Sequence, residues 1–545
     1  MKTALSDIHT PWVEQRLASL LPDERLAQLL HTTVTPDLTP ESWMEQTGGL
    51  APGGVFIFTG TRETFRRTSG IIQRNAKVPV VVSSDAENGP ARLIKDATTW
   101  PEMMGMGAAD DLDLSTEMGR SCAVECRDAG VHWTLGPVVD LNVHPHNPIT
   151  NTRSLGDEPA HVGRHAAAMI RAMQEGGLAT TPKHFPGDGY DDRDQHVCRT
   201  TNPQSMEQWR RTSGAAFRSA IEAGAWTVML GHIALPAWDP GIATVDEAPP
   251  ATVSRPLIEG LLRQELGFEG LVLSDAMGMG GITSWGPREI TLPAAIMAGC
   301  DQLLFVDMKR DLGILRDAIA DGRLTWERVD TAVRRILRLK EVLGICSESD
   351  ALPRPASPAD LERFREGAIR ATERSLTLVK DKKGIIPFDP QGKKVTVIHL
   401  LGDQGYPLDH FGDALRDAGA LLTHYTESNM PEWPAEGWLR GQDLVILAFA
   451  FNPNWGTSRI RPSGAFLRPI AQSVLAQHEV PVIGISFGSP YHLHDFPQLT
   501  AMINCHSQHN EAQRLAVSAL SGRIPFVGTS PVDLGKVTAC WHQLS

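Results

Sequence analysis

At 545 residues the chain is longer than a single hydrophobic core ordinarily organises, so two or three domains are expected. Hydrophobic residues make up 41% and charged residues 21%, a balance that excludes a disordered chain. The formal net charge of -13, with no block of Lys and Arg to offset it, excludes a polyanionic partner such as nucleic acid. Residues 1–21 place polar and acidic side chains where a secretory leader needs an unbroken apolar run, and no later stretch approaches the roughly 20 apolar residues that span a bilayer. The seven cysteines (Cys122, Cys126, Cys198, Cys300, Cys346, Cys505, Cys540) are scattered and odd in number. Cys122 and Cys126 stand in a helix-like stretch, where free thiols fill core space. A cytoplasmic protein with no membrane partner is the expectation.

From about residue 53 the sequence repeats one unit: a short apolar run, a polar or Gly-rich loop, then a helical stretch. The runs lie at 54–59, 78–83, 131–139, 179–184, 226–233, 270–274 and 302–306. They are continuous rather than alternating, as parallel strands covered on both faces must be. Helical stretches at 205–222 and 255–266 separate them. The alternation predicts a TIM-type (β/α)8 barrel, with a doubly wound open sheet as the competing arrangement. A long basic helix at 326–343 ends a domain spanning 1–345. Residues 346–358 have linker composition. A smaller α/β layered domain follows at 359–545, with a helix at 361–376 and strands at 395–400, 444–449, 482–486 and 501–504.

Polar residues follow nearly every run: Asp85 and Glu87, Asp140, Lys183 and His184, His232, Asp275. In a barrel these positions surround one mouth. The segment TPKHFPGDGYDDRDQHV, residues 181–197, delivers Asp194 and His196 two positions apart, so an extended loop lets them touch. A carboxylate beside an imidazole suits general acid/base work; a solvated acidic loop is the plain alternative. In GFEGLVLSDAMGM, residues 267–279, Asp275 closes an apolar strand with no base beside it in sequence. It reads either as a nucleophile that must stay ionised or as the N-cap of a following helix.

These two segments together resemble glycoside hydrolase family 3, in its β-N-acetylglucosaminidase branch. That branch carries a K-H-[FS]-P-G-[HD]-G loop ending in Asp-x-His, and a strand ending G-F-x-G-x-[VI]-x-[ST]-D. SSDAENGPARL around Asp85, GVHWTLGPVVDLN through Asp140, NTRSLGDEP around Arg153, the MLGHI run from Met229, AGCDQLLF and SLTLVKDKKGIIPF follow in the same order. The resemblance implies a retaining exo-β-N-acetylhexosaminidase acting on chitin- or peptidoglycan-derived fragments. Asp275 would form a covalent glycosyl intermediate, and His196, helped by Asp194, would be acid and then base. It further implies sugar binding by Asp85, Arg153, Lys183, His184 and Met229, with no cofactor or metal. The family's E-G-G-R segment reads Glu87-Asn88-Gly89-Pro90 here, so its arginine is either missing or displaced to Arg92, and Asp188 stands where many relatives have His.

A β-glucosidase and a phosphorylase of the same family are the competing activities, and a silent sugar-binding barrel is the competing class. Intact Asp275, Asp194 and His196 argue against the last. The partner expected is a small carbohydrate, the assembly a monomer or homodimer. Ser486 sits in a G-x-S-x-G segment, but Pro490 falls where the helix of a hydrolase elbow should begin. His144 and His146 lack ligand spacing. Trp433, Trp438 and Trp455 are read as packing residues rather than sugar platforms.

Overall fold

The computed structural model describes residues 5, 10–238, 241–242, 244–402, 406–431, 437–451, 456 and 460–535. Trp433, Trp455 and Cys540 lie outside the described residues. The chain divides into two compact units. The first comprises Met1–Thr99, Ser115–Leu141 and Pro159–Arg365; the second comprises Trp100–Leu114, Asn142–Glu158 and Glu366–Ser545. The units are therefore not successive in sequence: two segments interleaved with barrel strands belong to the second. Among the described residues no helix is long and apolar enough to cross a membrane.

In the first unit β1 (Leu30–Val34), β2 (Gly54–Ile57), β3 (Val81–Ser84) and β4 (Trp133–Thr134) pair in parallel. β5 (Thr200–Thr201) and β7 (Ile233–Ala234) form a separate pair. β6 (Thr227–Leu230), β8 (Leu271–Ala276) and β9 (Gln302–Leu304) complete the order β4-β3-β2-β1-β9-β8-β6. Residues 179–185 fill the place between β4 and β6 through the parallel bridges Trp133 with Ala179 and Phe185 with Leu230. The ring thus closes as an eight-stranded barrel, which excludes the open sheet. The predicted runs occupy seven of these positions; β1 is the eighth. Its sequence Leu-His-Thr-Thr-Val does not read as apolar, yet His31 and Thr32 are buried.

The reason lies in the barrel interior, which is filled by a hydrogen-bonded polar layer. His31 bonds Gln302 Oε1 at 3.1 Å and Ser83 Oγ at 2.7 Å. Trp133 Nε1 donates to Thr181 Oγ1 at 2.6 Å and to Thr227 Oγ1 at 3.1 Å. Because every buried donor has an acceptor, the layer avoids the cost of unpaired polar groups. Burial drives the His31 pKa down to about 4, so the ring is neutral. Gly54 is glycine for a packing reason, since a Cβ there would lie 2.4 Å from His31 Nδ1.

The opposite end of the barrel is clamped by Asp301, just ahead of β9. Its buried carboxylate accepts from Arg263 (3.1 Å), Arg328 (2.8 Å), Arg335 (3.0 Å) and the Val272 amide (3.0 Å). Burial alone would raise the Asp301 pKa; the charges of Arg335, Arg328 and Arg263 outweigh it and leave it lowered. Asp301→Asn should cost about 3–5 kcal/mol, because the buried guanidinium groups lose their counter-charge. Chemical denaturation at pH 7 would show the loss. A depressed folded-state pKa stabilises above the unfolded carboxylate value and ceases to do so as pH falls through the folded value. The gap between wild type and variant should therefore narrow on acidification.

Three predicted helices are present at Pro256–Glu265, Trp326–Val342 and Pro358–Ser375. The stretch 205–222 is instead two helices, Met206–Arg211 and Ser213–Glu222, broken where Thr212 leaves helical geometry. Cys122 and Cys126 are buried on the long helix Leu112–Ala129.

The second unit is built on a six-stranded sheet of β10 (Thr377–Asp381), β11 (Lys394–Leu400), β12 (Leu421–Thr426), β13 (Leu444–Phe449), β14 (Val482–Ser486) and β15 (Ala501–Asn504). The order is β10-β15-β14-β13-β11-β12, parallel except for β10. Alternate residues of β11 serve two cores: Val395 and Val397 face one, Ile398 and Leu400 the other. Both faces are covered, so the central strands read as unbroken apolar runs. β12, an exposed edge, does not. Ser486 is buried, and its Oγ donates to the Ser489 carbonyl at 2.7 Å, so it is no exposed nucleophile. Trp438 packs edge-on against Tyr425 in the second core.

Candidate functional site

The site is assembled at the C-terminal ends of the barrel strands, where the fifth position breaks into a loop. Phe185 packs outward against Trp209 and Phe217, and Trp209 Nε1 donates to the Pro186 carbonyl at 2.7 Å. Gly187 then turns at φ 118°, and a Cβ there would lie 2.6 Å from Ser213 Oγ. Only glycine fits both demands. This anchoring fixes Lys183 and His184 at the mouth.

Asp140, wholly buried, organises the next layer. It accepts the His184 amide at 3.0 Å, the Asp188 amide at 2.8 Å and His184 Nδ1 at 2.6 Å. The carboxylate holds His184 by its Nδ1 edge and aims Nε2 at Asp275 Oδ2, 3.9 Å away. Asp275 Oδ1 also accepts the Ala276 amide at 2.7 Å. Burial pushes the Asp275 pKa up, but the imidazoles of His184, His232 and His196 and the Ala276 amide outweigh it, leaving it lowered. Its side chain remains slightly open, at 13% exposure. A buried strand-end carboxylate held ionised among histidines is a nucleophile's environment.

His232 contributes from beneath. Its Nε2–H donates to the Ala276 carbonyl at 3.0 Å, and its Nδ1 accepts from Thr252 Oγ1 at 2.7 Å. Burial lowers its pKa against the opposing pull of the Asp275 charge, and the ring fixes the backbone beside Asp275.

The loop carrying Asp194 and His196 docks directly after Asp275 in space. Gly280 N–H donates to the His196 carbonyl at 2.8 Å, and Gly281 N–H to the Gln195 carbonyl at 3.0 Å. Gln195 bonds onward to the His232 amide and to Asp188. A Cβ on Gly280 would lie 2.1 Å from the Val197 carbonyl oxygen, so the close approach requires glycine. Asp194 Oδ1 accepts both the His196 amide and His196 Nδ1 at 2.8 Å. The imidazole is therefore held by its Nδ1 edge and remains partly exposed.

Beside this cluster Lys183 Nζ pairs with Asp85 Oδ1 at 3.1 Å and Glu87 Oε1 at 2.5 Å. Lys183 and Glu87 are buried, whereas Asp85 is one-third exposed and faces outward as a hydroxyl acceptor could. Met229 is buried on β6, its carbonyl accepting the Phe185 amide at 2.9 Å. Arg92 ends a short turn after β3 and is exposed, with no hydrogen bond or ion pair to the Lys183 group among the described residues. Arg153 belongs to the second unit, where Nη1 donates to the Ile149 carbonyl at 3.1 Å. The anchoring roles of Asp140, Gln195, His232 and the Gly280–Gly281 pair were not apparent from sequence. The polar residues after successive runs were the available signal for Asp140 and His232.

Residues 21–339 match the Glycosyl hydrolase family 3 N terminal domain. The chain belongs to glycoside hydrolase family 3. Among its family 3 relatives, a Cellulomonas fimi protein described as beta-N-acetylglucosaminidase/beta-glucosidase is 35% identical, over 97% of each chain. Beta-glucoside phosphorylase BglX is similar in structure at TM-score 0.89 and 31% identity, covering 98% of each chain. A family 3 beta-N-acetylglucosaminidase from Paenibacillus sp. str. FPU-7 follows at TM-score 0.80 and 26% identity, with 95% and 99% covered. The two-unit fold, a (β/α)8 barrel plus an α/β layered unit, is thus that of family 3, and the protein is a carbohydrate-active enzyme of the glycosidase type.

Proposed function

We propose that the protein is a retaining exo-β-N-acetylhexosaminidase. Asp275 Oδ2 attacks the anomeric carbon while His196, oriented by Asp194, gives a proton to the departing oxygen. The glycosyl ester on Asp275 is then opened by water, whose proton returns to His196. Asp85, Lys183 and His184 bind the sugar hydroxyls, with Met229 beneath. The observation that carries the reading is the ionised Asp275 beside a docked loop that presents a carboxylate-held imidazole.

A panel of 4-nitrophenyl glycosides differing only at C2 and C4 tests it. The expected result is preference for the β-N-acetylglucosaminide, with the β-anomer of the free sugar as first product. Preference for the glucoside would replace the substrate; an α-anomer first product would remove the retaining mechanism.

A second reading, phosphorolysis, is favoured by the 31% identity to BglX over nearly the whole chain. An imidazole also repels phosphate less than a carboxylate acid/base would. Phosphate-dependent release of a sugar 1-phosphate would assign that activity.

A further inference from the structure

Asp188, which stands where many relatives have His, takes no part in the chemistry above, yet it is buried at the mouth. Its amide donates to Asp140 Oδ1 at 2.8 Å, its Oδ1 accepts the Gly189 amide at 2.7 Å, and its Oδ2 accepts Gln195 Nε2 at 3.2 Å. Gln195 stands between Asp194 and His196 and is also buried. Its Oε1 accepts the His232 amide and its carbonyl the Gly281 amide, both at 3.0 Å.

These bonds fix the polarity of the Gln195 side chain. A backbone N–H can only donate, so the His232 amide takes the Gln195 oxygen and turns the NH2 group toward residue 188. The group there must accept, and the Asp188 carboxylate does. From Gln195 two arms reach the nucleophile. One runs through Asp188 and Asp140 to His184, whose Nε2 lies 3.9 Å from Asp275 Oδ2. The other runs through His232 to the Ala276 carbonyl at 3.0 Å. The outer part of the loop is held separately, by Asp191, which accepts the Arg193 amide at 3.0 Å and the Thr201 amide at 2.8 Å.

Rich in Gly and Asp, residues 187–197 would lose conformational entropy each time they docked from solvent. A buried clasp places that loss in folding rather than in each turnover. We propose that Asp188 is a positioning residue: through Gln195 it keeps the loop docked in the free enzyme, so that His196 is in place before substrate arrives. The proposal rests on the acid/base reading of His196 given above.

The test exchanges donor and acceptor. In Asp188→Asn, either the Gly189 amide or Gln195 Nε2 loses its acceptor; in Gln195→Glu, two carboxylates face each other at pH 8. The double variant reverses the pair, because the introduced amide can donate to the introduced carboxylate while the Gly189 and His232 amides keep oxygen acceptors. Each single variant should lower kcat on an N-acetylglucosaminyl disaccharide about tenfold, with KM and the dinitrophenyl glycoside changed less than about twofold. In ligand-free protein, hydrogen exchange at the Gly280 and Gly281 amides, which donate to the His196 and Gln195 carbonyls, should quicken about tenfold, while the Thr201 amide keeps its rate. The double variant should return both readouts to within about threefold of wild type. Unchanged exchange in the single variants would overturn the clasp. Faster exchange that the double variant does not reverse would overturn the pairing of Asp188 with Gln195. Equal losses of kcat on both substrates would overturn the positioning role. Wild type inert on both would overturn the reading of His196 and that role with it, while the exchange rates would still decide the clasp.

Discussion

Asp275→Asn should lower kcat/KM on aryl glycosides by about 10,000-fold or more, with the thermal transition little changed. Asparagine keeps the shape and still accepts the Ala276 amide, but it supplies no anionic oxygen to bond the anomeric carbon. The 3.9 Å approach of His184 Nε2 would then lose its charge partner, which is why the change is electrostatic rather than steric. A second readout separates a nucleophile from a mere orienting group. A 2-deoxy-2-fluoro glycoside should label wild type on the peptide containing Asp275 and leave the variant unlabelled. Labelling of another carboxylate would remove Asp275 from the role. The pH profile carries the sign of the same shift. Because three imidazoles hold the carboxyl below its ordinary value, Asp275 stays ionised as pH falls through 3.8. Any loss of kcat/KM between pH 6 and 4 must then come from another group.

Most of the barrel was legible because a parallel strand buried on both faces leaves an apolar run, and seven such runs stand in the sequence. β1 escaped because His31 and Thr32 are polar side chains buried with hydrogen-bond partners from other strands, His31 on Gln302 and Ser83 and Thr32 on the Val306 carbonyl. β12 escaped for the opposite reason, as an edge strand whose residues face solvent. Interleaving was also hidden. Residues 142–158, with Arg153, lie between barrel strands in sequence but join the second unit, and no local pattern marks which core a loop will enter. At the site, Asp194 and His196 were readable because they stand two positions apart. The Asp140 link to His184 spans 44 residues and the Gly280 contact to the His196 carbonyl is made by backbone alone, so neither leaves a motif.

His196→Ala should cost about 100- to 10,000-fold on a disaccharide, whose leaving oxygen needs a proton, and far less on a dinitrophenyl glycoside, whose leaving group does not. That contrast identifies an acid rather than a binding residue, since a lost binding contact would weaken both substrates alike. Gly280→Ala provides the independent check on how the imidazole is placed. The added Cβ would fall 2.1 Å from the Val197 carbonyl oxygen, and backbone cannot yield as a flexible side chain would, so the loop must lift. The variant retains every side chain of the site. It should nonetheless reproduce the leaving-group dependence of His196→Ala, with kcat falling on the disaccharide and little change on the dinitrophenyl substrate. Equal losses on both substrates would mean that the loop only shapes the pocket. No loss on either would mean that His196 acts without being docked against the segment that follows Asp275.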